Sequence, residues 1–352
     1  MNLPFCAKEK LIVGIDIGSH SVKICQLQRS NDEYEVLSLG SNLLPEGAVD
    51  DGTLHDPEQV GNIIKNLLKH LKIKNRKVGF AMSGFSVVVK KIALPHMDEE
   101  LIKDHILSEA EQYIPFDINE VYLDFQDLKT NREGSERTDV LLAAAKKDVV
   151  DAYLEMFKSI NLFPTVVDVD GFALGNAYKY NHPESSNVAL VDIGASKINM
   201  NVMLDEAATM ARDIVVGSRE LTDQIQYELD IDFEEAEALK LGIQPAGDKQ
   251  AAIEEIFNSR CNQWIEEIKT AIDLYHANNR REPLSKLIIC GGGSNITGFA
   301  ELLEQSIDLP VEQFNPFSNM ITNPRKIDPE YLAQVGPEMA IAAGLAIRTS
   351  EI

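Results

Sequence analysis

The chain has 352 residues, 44% of them hydrophobic, with 33 Lys and Arg set against 56 Asp and Glu for a formal net charge of −23. That length exceeds what one hydrophobic core sustains, so at least two domains are expected. The charge excludes nucleic acid and an anionic membrane surface as partners held by bulk electrostatics, and it means that a bound polyphosphate needs a divalent cation to offset repulsion.

The four cysteines, Cys6, Cys25, Cys261 and Cys290, show neither C-x-x-C spacing nor a zinc-like pairing with histidine, and read as reduced structural thiols of a cytoplasmic protein. No stretch has the length of a spanning helix, and the apolar run after Lys8-Glu9-Lys10 is broken at Asp16, unlike a signal peptide.

In chain order, strands are predicted at 13–17, 22–28 and 34–40. The first runs into Asp16-Ile17-Gly18-Ser19-His20-Ser21-Val22-Lys23. A carboxylate at an apolar strand tip is costly unless it is solvated or faces a cation in a cleft, although Asp and Gly also suit an ordinary turn. Val60, Ile63, Ile64, Leu67, Leu68 and Leu71 then recur at helical spacing.

From 86 to 164 the texture changes to a β-α-β-β-α unit. It holds the strand Val87-Val88-Val89, a helix over 99–114 with Asp98 as N-cap, and an alternating strand with Val121, Leu123 and Phe125. A solvated hairpin turn over 129–139, a strand over 140–145 and a helix over 149–160 complete it. A strand over 165–169 returns to the first sheet, and a helix over 171–180 leads to a polar linker at 181–187.

The second half opens by repeating the first motif, as Ala189-Leu190-Val191-Asp192-Ile193-Gly194-Ala195-Ser196-Lys197. Asp16 and Asp192 are suited to holding a divalent cation, directly or through water. A helix follows Gly217-Ser218, then an acidic helical segment over 233–242 in which Glu237 and Lys240 sit at i,i+3 spacing, where a surface ion pair is the plain alternative. A long amphipathic helix carries Ile253, Ile256, Ile265, Ile268 and Ile272 on one face, with Cys261 and Trp264 expected in the core. A third apolar strand feeds Gly291-Gly292-Gly293-Ser294, and such glycine turns let backbone N–H groups approach phosphate oxygens.

Taken together, these segments resemble the actin, sugar-kinase and heat-shock ATPase superfamily. The matching pieces are a first phosphate loop (16–23), a connecting segment (166–174), a second phosphate loop (192–197), an adenosine loop (291–298) and a closing Gly-rich helix (336–346). Within it, Glu109-Ala110-Glu111-Gln112-Tyr113-Ile114-Pro115-Phe116 and Val167-Asp168-Val169-Asp170-Gly171-Phe172-Ala173-Leu174 resemble the PilM family, the cytoplasmic actin-like component of type IV pilus assembly. The resemblance implies an α/β, actin-like (ribonuclease H-like) fold with duplicated domains around an interdomain nucleotide cleft. It divides the chain into a first core subdomain (9–85, 166–186 and 336–352), an inserted FtsA-type subdomain (86–165), a second core subdomain (187–217 and 285–335) and a helical subdomain (218–284).

The resemblance also assigns roles. Asp16 and Asp192 match residues that hold the hydration shell of Mg²⁺. Gly18, Ser19, His20, Gly194, Ala195 and Ser196 match loops whose amides cradle the phosphates of ATP or ADP, and Lys23 falls where actin places a phosphate-contacting lysine. Glu237 and Lys240 match positions around ribose and adenine, Gly291, Gly292, Gly293 and Ser294 flank the adenine, and Asp170 falls near the residue that orients the hydrolytic water. His20 has no second ligand nearby and is expected to contribute its N–H rather than its ring. Many relatives read Asp-x-Gly-Gly-Gly-Thr in the second loop; here Ala195 and Ser196 replace two glycines and Lys197 the threonine, which narrows the loop's freedom and implies slow or no hydrolysis.

The function implied is an ATP-binding scaffold in the cytoplasm that binds the N-terminal cytoplasmic peptide of the inner-membrane protein PilN, in a groove between the first core and inserted subdomains. It would link PilN to the assembly motor and platform, meeting the membrane only through partners. Asn2-Leu3-Pro4 echoes the Asn-Leu-Leu-Pro type of peptide that such grooves accept, which raises self-association. The alternatives are an FtsA-like polymerising division protein and a small-molecule kinase of the same fold.

Overall fold

The computed structural model describes residues 9–128, 137–184, 187–204, 207–280 and 282–349. In the first half, β1 (Glu9–Ile17), β2 (Ser21–Ser30) and β3 (Glu33–Leu43) form an antiparallel meander. The short hairpin β4 (Val49–Asp50) and β5 (Thr53–Leu54) leads to α1 (Pro57–His70). Asp56 starts that helix by accepting a hydrogen bond from the Gln59 N–H at 2.9 Å, Pro57 occupies its first turn, and Val60, Ile64, Leu67 and Leu68 form the buried stripe. β6 (Lys77–Met82) then returns parallel to β1.

The unit that follows comprises β7 (Val87–Pro95), α2 (Glu99–Tyr113), β8 (Val121–Asp127), β9 (Arg137–Lys146) and α3 (Lys147–Ser159). Its strands form a separate sheet in the order β7-β9-β8, with Ile102, Ile106 and Ala110 of α2 buried against it. Asp98 precedes α2, but its side chain makes no capping bond, so the helix start rests on packing rather than on that carboxylate. Of the hairpin turn expected at 129–139, residues 129–136 lie outside the described residues and 137–139 belong to β9.

β10 (Phe163–Val169) pairs in parallel with β6 and completes a five-stranded sheet ordered β10-β6-β1-β2-β3. α4 (Asp170–Asn181) follows directly. Asn181, expected in a polar linker, is instead buried at the end of this helix. Its side chain donates to the Pro316 carbonyl at 2.8 Å and accepts from the Asn319 N–H at 3.1 Å, so it fixes a distant loop.

The second half repeats the design. β11 (Val188–Ile193), β12 (Ile198–Leu204) and β13 (Ala207–Ile214) form the meander. α5 (Arg219–Leu229), α6 (Phe233–Lys240) and the long α7 (Gln250–Asn278) intervene before β14 (Lys286–Cys290), which runs parallel to β11. After α8 (Phe299–Ser306) and β15 (Val311–Gln313) the sheet order is β13-β12-β11-β14-β15. Trp264 and Cys261 of α7 are fully buried, as their place on the apolar face predicts.

α9 (Pro329–Val335) leads to α10 (Ala340–Ile347), which closes the chain back onto β1 and α4. α10 is buried almost all round and needs glycine on both sides. A Cβ on Gly14 would lie 2.1 Å from the Ala342 carbonyl oxygen, and one on Gly344 would lie 1.8 Å from that of Ala173. Cys25, Cys261 and Cys290 are free and buried, whereas Cys6 and Asn2-Leu3-Pro4 lie outside the described residues.

Candidate functional site

Each half carries an antiparallel partner and a parallel partner around its first strand, so Asp16 and Asp192 occupy equivalent strand tips. The turns after them share one geometry: Gly18 N–H donates to the Ser21 carbonyl at 3.1 Å, and Gly194 N–H donates to that of Lys197 at 2.9 Å. Asp16, Gly18, Ser19, His20 and Lys23 face Asp192, Gly194, Ala195 and Ser196 across a cleft of about 540 Å³. Asp170 enters it at the start of α4, Glu237 and Lys240 from α6, and Gly291 and Gly292 after β14. Gly293 and Ser294 do not line it: Gly293 packs on Ile193, and the Ser294 hydroxyl donates to the Gly291 carbonyl at 2.8 Å. They shape the loop from behind.

Carboxylates crowd the floor of this cleft. Burial and the Asp16 charge raise Asp192 to about 6, and the same causes raise Asp170 to about 7. Lys23 Nζ lies 3.2 Å from Asp16 Oδ2, and although burial pulls the lysine down, Asp16 and Glu338 hold it above its ordinary value. Desolvated like charges of this kind are relieved by a cation. Among the described residues no three His, Cys, Asp or Glu side chains form a ready metal-ligand cluster. Hard carboxylate oxygens on two opposed tips therefore fit a hydrated Mg²⁺ held through water better than one held by a full protein cage. Gly291 adopts φ +80° where any Cβ would strike Asp192, while a Cβ on Gly292 would meet only open space, so the backbone at Gly292 is bare toward the cleft.

The far end is built from α5 and α6. Lys240 is buried, with Nζ 2.5 Å from Glu237 Oε1 and 2.9 Å from the Thr222 hydroxyl, which itself bonds Glu237. Burial lowers Lys240 against the opposing pull of Glu237. This excludes the surface-pair alternative, because Lys240 is buried and bonded to both Glu237 and Thr222, with Glu237 half-buried beside it, so the pair is a fixture of the wall.

Four features of the site were not legible in the sequence, two of them being contacts of His20 and Lys197, residues that the sequence does mark. The Arg219 guanidinium lies 4.7 Å from the centre of the Phe233 ring, and His20 packs on that ring from the other half at 5.8 Å. Burial lowers His20, leaving its ring neutral near pH 7. Arg219 also reaches Glu46 across the cleft at 3.3 Å. Lys197 Nζ stands between Asp51 of the first half, at 3.4 Å, and Asp213 of its own, at 3.7 Å, while Asp213 accepts from the Gly84 N–H at 3.0 Å. Finally, Ser83 and Glu338 line the floor. The small residues before Arg219, at a helix start, are the one sequence signal that could have marked it.

A second cavity, a groove of about 700 Å³, lies between the inserted unit and the first sheet. Tyr122 to Gln126 of β8 and Val167 to Val169 of β10 line it, and both are edge strands of their sheets. The two cavities share walls: Met82 lines the groove and Ser83 the cleft, and likewise Val169 and Asp170.

Comparison with known proteins agrees with this architecture. The model of the family described as type IV pilus assembly protein PilM matches residues 14–350. A chain of the solved PilM-PilN type IV pilus biogenesis complex is 26% identical, with 97% of this chain and 99% of that one covered at a TM-score of 0.85. The ethanolamine utilization protein EutJ of Carboxydothermus hydrogenoformans is 14% identical, covering 99% and 90% of the two chains at a TM-score of 0.59. MreB 5 of Spiroplasma citri, solved with AMPPNP, is 11% identical, covering 95% and 94% at a TM-score of 0.55. The cell division protein FtsA of Bacillus subtilis is 21% identical over 274 residues, 70% of this chain and 61% of that protein's length. The fold is therefore actin-like. No helix among the described residues is long and apolar enough to cross a membrane.

Proposed function

Because the chain belongs to the PilM family of type IV pilus assembly proteins, we propose that it is a scaffold controlled by a nucleotide, which holds Mg·ATP or Mg·ADP in the central cleft and the N-terminal peptide of PilN in the groove. The observation that carries the cleft reading is the convergence of Asp16, Asp192 and Asp170 beside two glycine turns of the same geometry. When bound, Mg²⁺ would neutralise part of the polyphosphate charge in a strongly acidic protein.

The chain's own residues do the rest. The turns at Gly18 to His20 and Gly194 to Ser196 offer backbone amides to phosphates, Lys23 adds a cation, and Glu237 and Lys240 bound the nucleoside end beside Gly291 and Gly292. Asp170, raised to about 7 by burial and the Asp16 charge, is suited to positioning a water and taking its proton, the group on which slow hydrolysis would depend. Lys197 and Arg219 tie the halves together, so a ligand that bridges them biases closure.

PilN as partner is supported by the 26% identical chain whose solved complex contains it. An extended peptide suits a groove whose walls include β8 and β10, each the outermost strand of its sheet among the described residues. On this reading the protein works in the cytoplasm at the inner-membrane face, reached through PilN, and passes the state of the cleft to motor and platform components. Titrating a fluorescent ATP analogue with and without Mg²⁺ tests the cleft: saturable, Mg²⁺-dependent binding lost in Asp192→Ala is expected, and no binding overturns it.

A further inference from the structure

Two buried polar atoms of the groove lining make no hydrogen bond among the described residues, Asn176 Nδ2 and Asp168 Oδ2, and of the two side chains only Asp168 carries a charge. Asp168 is 8% exposed, at the end of β10. Its Oδ1 accepts the neighbouring Val169 N–H at 2.9 Å, but its Oδ2 makes no hydrogen bond among the described residues. The Arg348 guanidinium stands 3.5 Å from that oxygen, too far for the charge-assisted bond of roughly 2.7–2.9 Å that an arginine and a carboxylate normally form. The Arg348 side chain is 46% exposed, just past the end of α10, so it can leave at little cost. Burial, which outweighs Arg348, raises the Asp168 carboxyl above its ordinary value, as expected of a charge with too little compensation.

A buried carboxylate in a groove that fits a peptide, with a loose and removable cation over it, is a recognition element awaiting a better partner. Cytoplasmic segments beside a membrane-spanning helix are enriched in Lys and Arg, so a PilN tail that follows this rule is of the complementary sign. Resting on the partner reading above, we propose that Asp168 is the specificity-determining residue of the groove: it takes a positively charged group of the bound peptide, a terminal ammonium or a basic side chain, in exchange for Arg348. Val167 and Phe172, beside it in the lining, would hold the apolar part of the peptide.

The test is fluorescence anisotropy with a synthetic peptide of the N-terminal residues of PilN from the same organism. It is made in three forms: unmodified, with an acetylated N-terminus, and with its Lys and Arg replaced by norleucine. These are titrated into wild type, Asp168→Asn and Arg348→Ala, each checked by thermal melting. One of the two neutralised forms should bind wild type about 10-fold to 100-fold more weakly, and identifies the cation. Asp168→Asn should lose as much for the unmodified peptide and nothing further for that neutralised form. Arg348→Ala should bind the unmodified peptide at least as tightly as wild type. Equal binding of all three forms to wild type overturns the proposal, as does an Asp168→Asn loss shared by every form or a weakened Arg348→Ala. If wild type binds no form, the PilN reading itself falls, and this inference with it.

Discussion

Replacing Asp192 by Asn takes one charge out of the group it forms with Asp16 and Asp170, and the consequences with and without a bound cation are opposite. In the ligand-free chain, burial and then Asp16 hold Asp192 at about 6 against an ordinary 3.8. The folded state therefore binds this proton more tightly than the unfolded state. The group costs no stability below its unfolded value, and the cost grows as pH rises until it is complete above about 6. A rise of about two units corresponds to ~3 kcal/mol, and solvent screening of a half-buried side chain leaves about 1–2 kcal/mol. In EDTA at pH 8, Asp192→Asn should melt about 1–3 °C above wild type by calorimetry, and at pH 5, between the unfolded and folded values, the advantage should fall to about half, vanishing only near pH 3. With Mg·ATP the order should reverse, because only wild type gains from the ligand. Equal melting at pH 8, or a gain that persists unchanged at pH 5, refutes the reasoning.

Gly344→Ala forces a Cβ to within 1.8 Å of the Ala173 carbonyl oxygen, so it should cost about 3 kcal/mol or more, read as a lowered urea midpoint or loss of soluble protein. Asp170→Asn keeps the wall and removes the base, so phosphate release should fall at least about tenfold while nucleotide affinity holds. Arg219→Ala removes both the cation against Phe233 and the contact to Glu46, so nucleotide dissociation measured by stopped flow should quicken about 3-fold to 10-fold.

Much of this was legible in the sequence because it is local. The strand tips at Asp16 and Asp192 repeat one short pattern, and backbone amides in a turn depend on nearby residues alone. The long apolar face of α7 announced Cys261 and Trp264 as core. What escaped was assembled from distant parts of the chain. Lys197, Asp51 and Asp213 carry no shared spacing, and they meet only because β13 packs beside β7. Asn181 read as linker by composition, yet it is buried by a loop over a hundred residues away. Gly293 and Ser294 looked equivalent to Gly291 and Gly292, but one turn of 3-10 helix points them at the core instead of the cleft.

The claim that the cleft governs the groove rests on their shared walls at Met82–Ser83 and Val169–Asp170. It is tested most directly by titrating the PilN peptide into wild type and Asp192→Ala, each with and without Mg·ATP. The account predicts a peptide affinity in wild type that changes on adding Mg·ATP and an unchanged affinity in Asp192→Ala. The same dissociation constant for wild type in both conditions would contradict it.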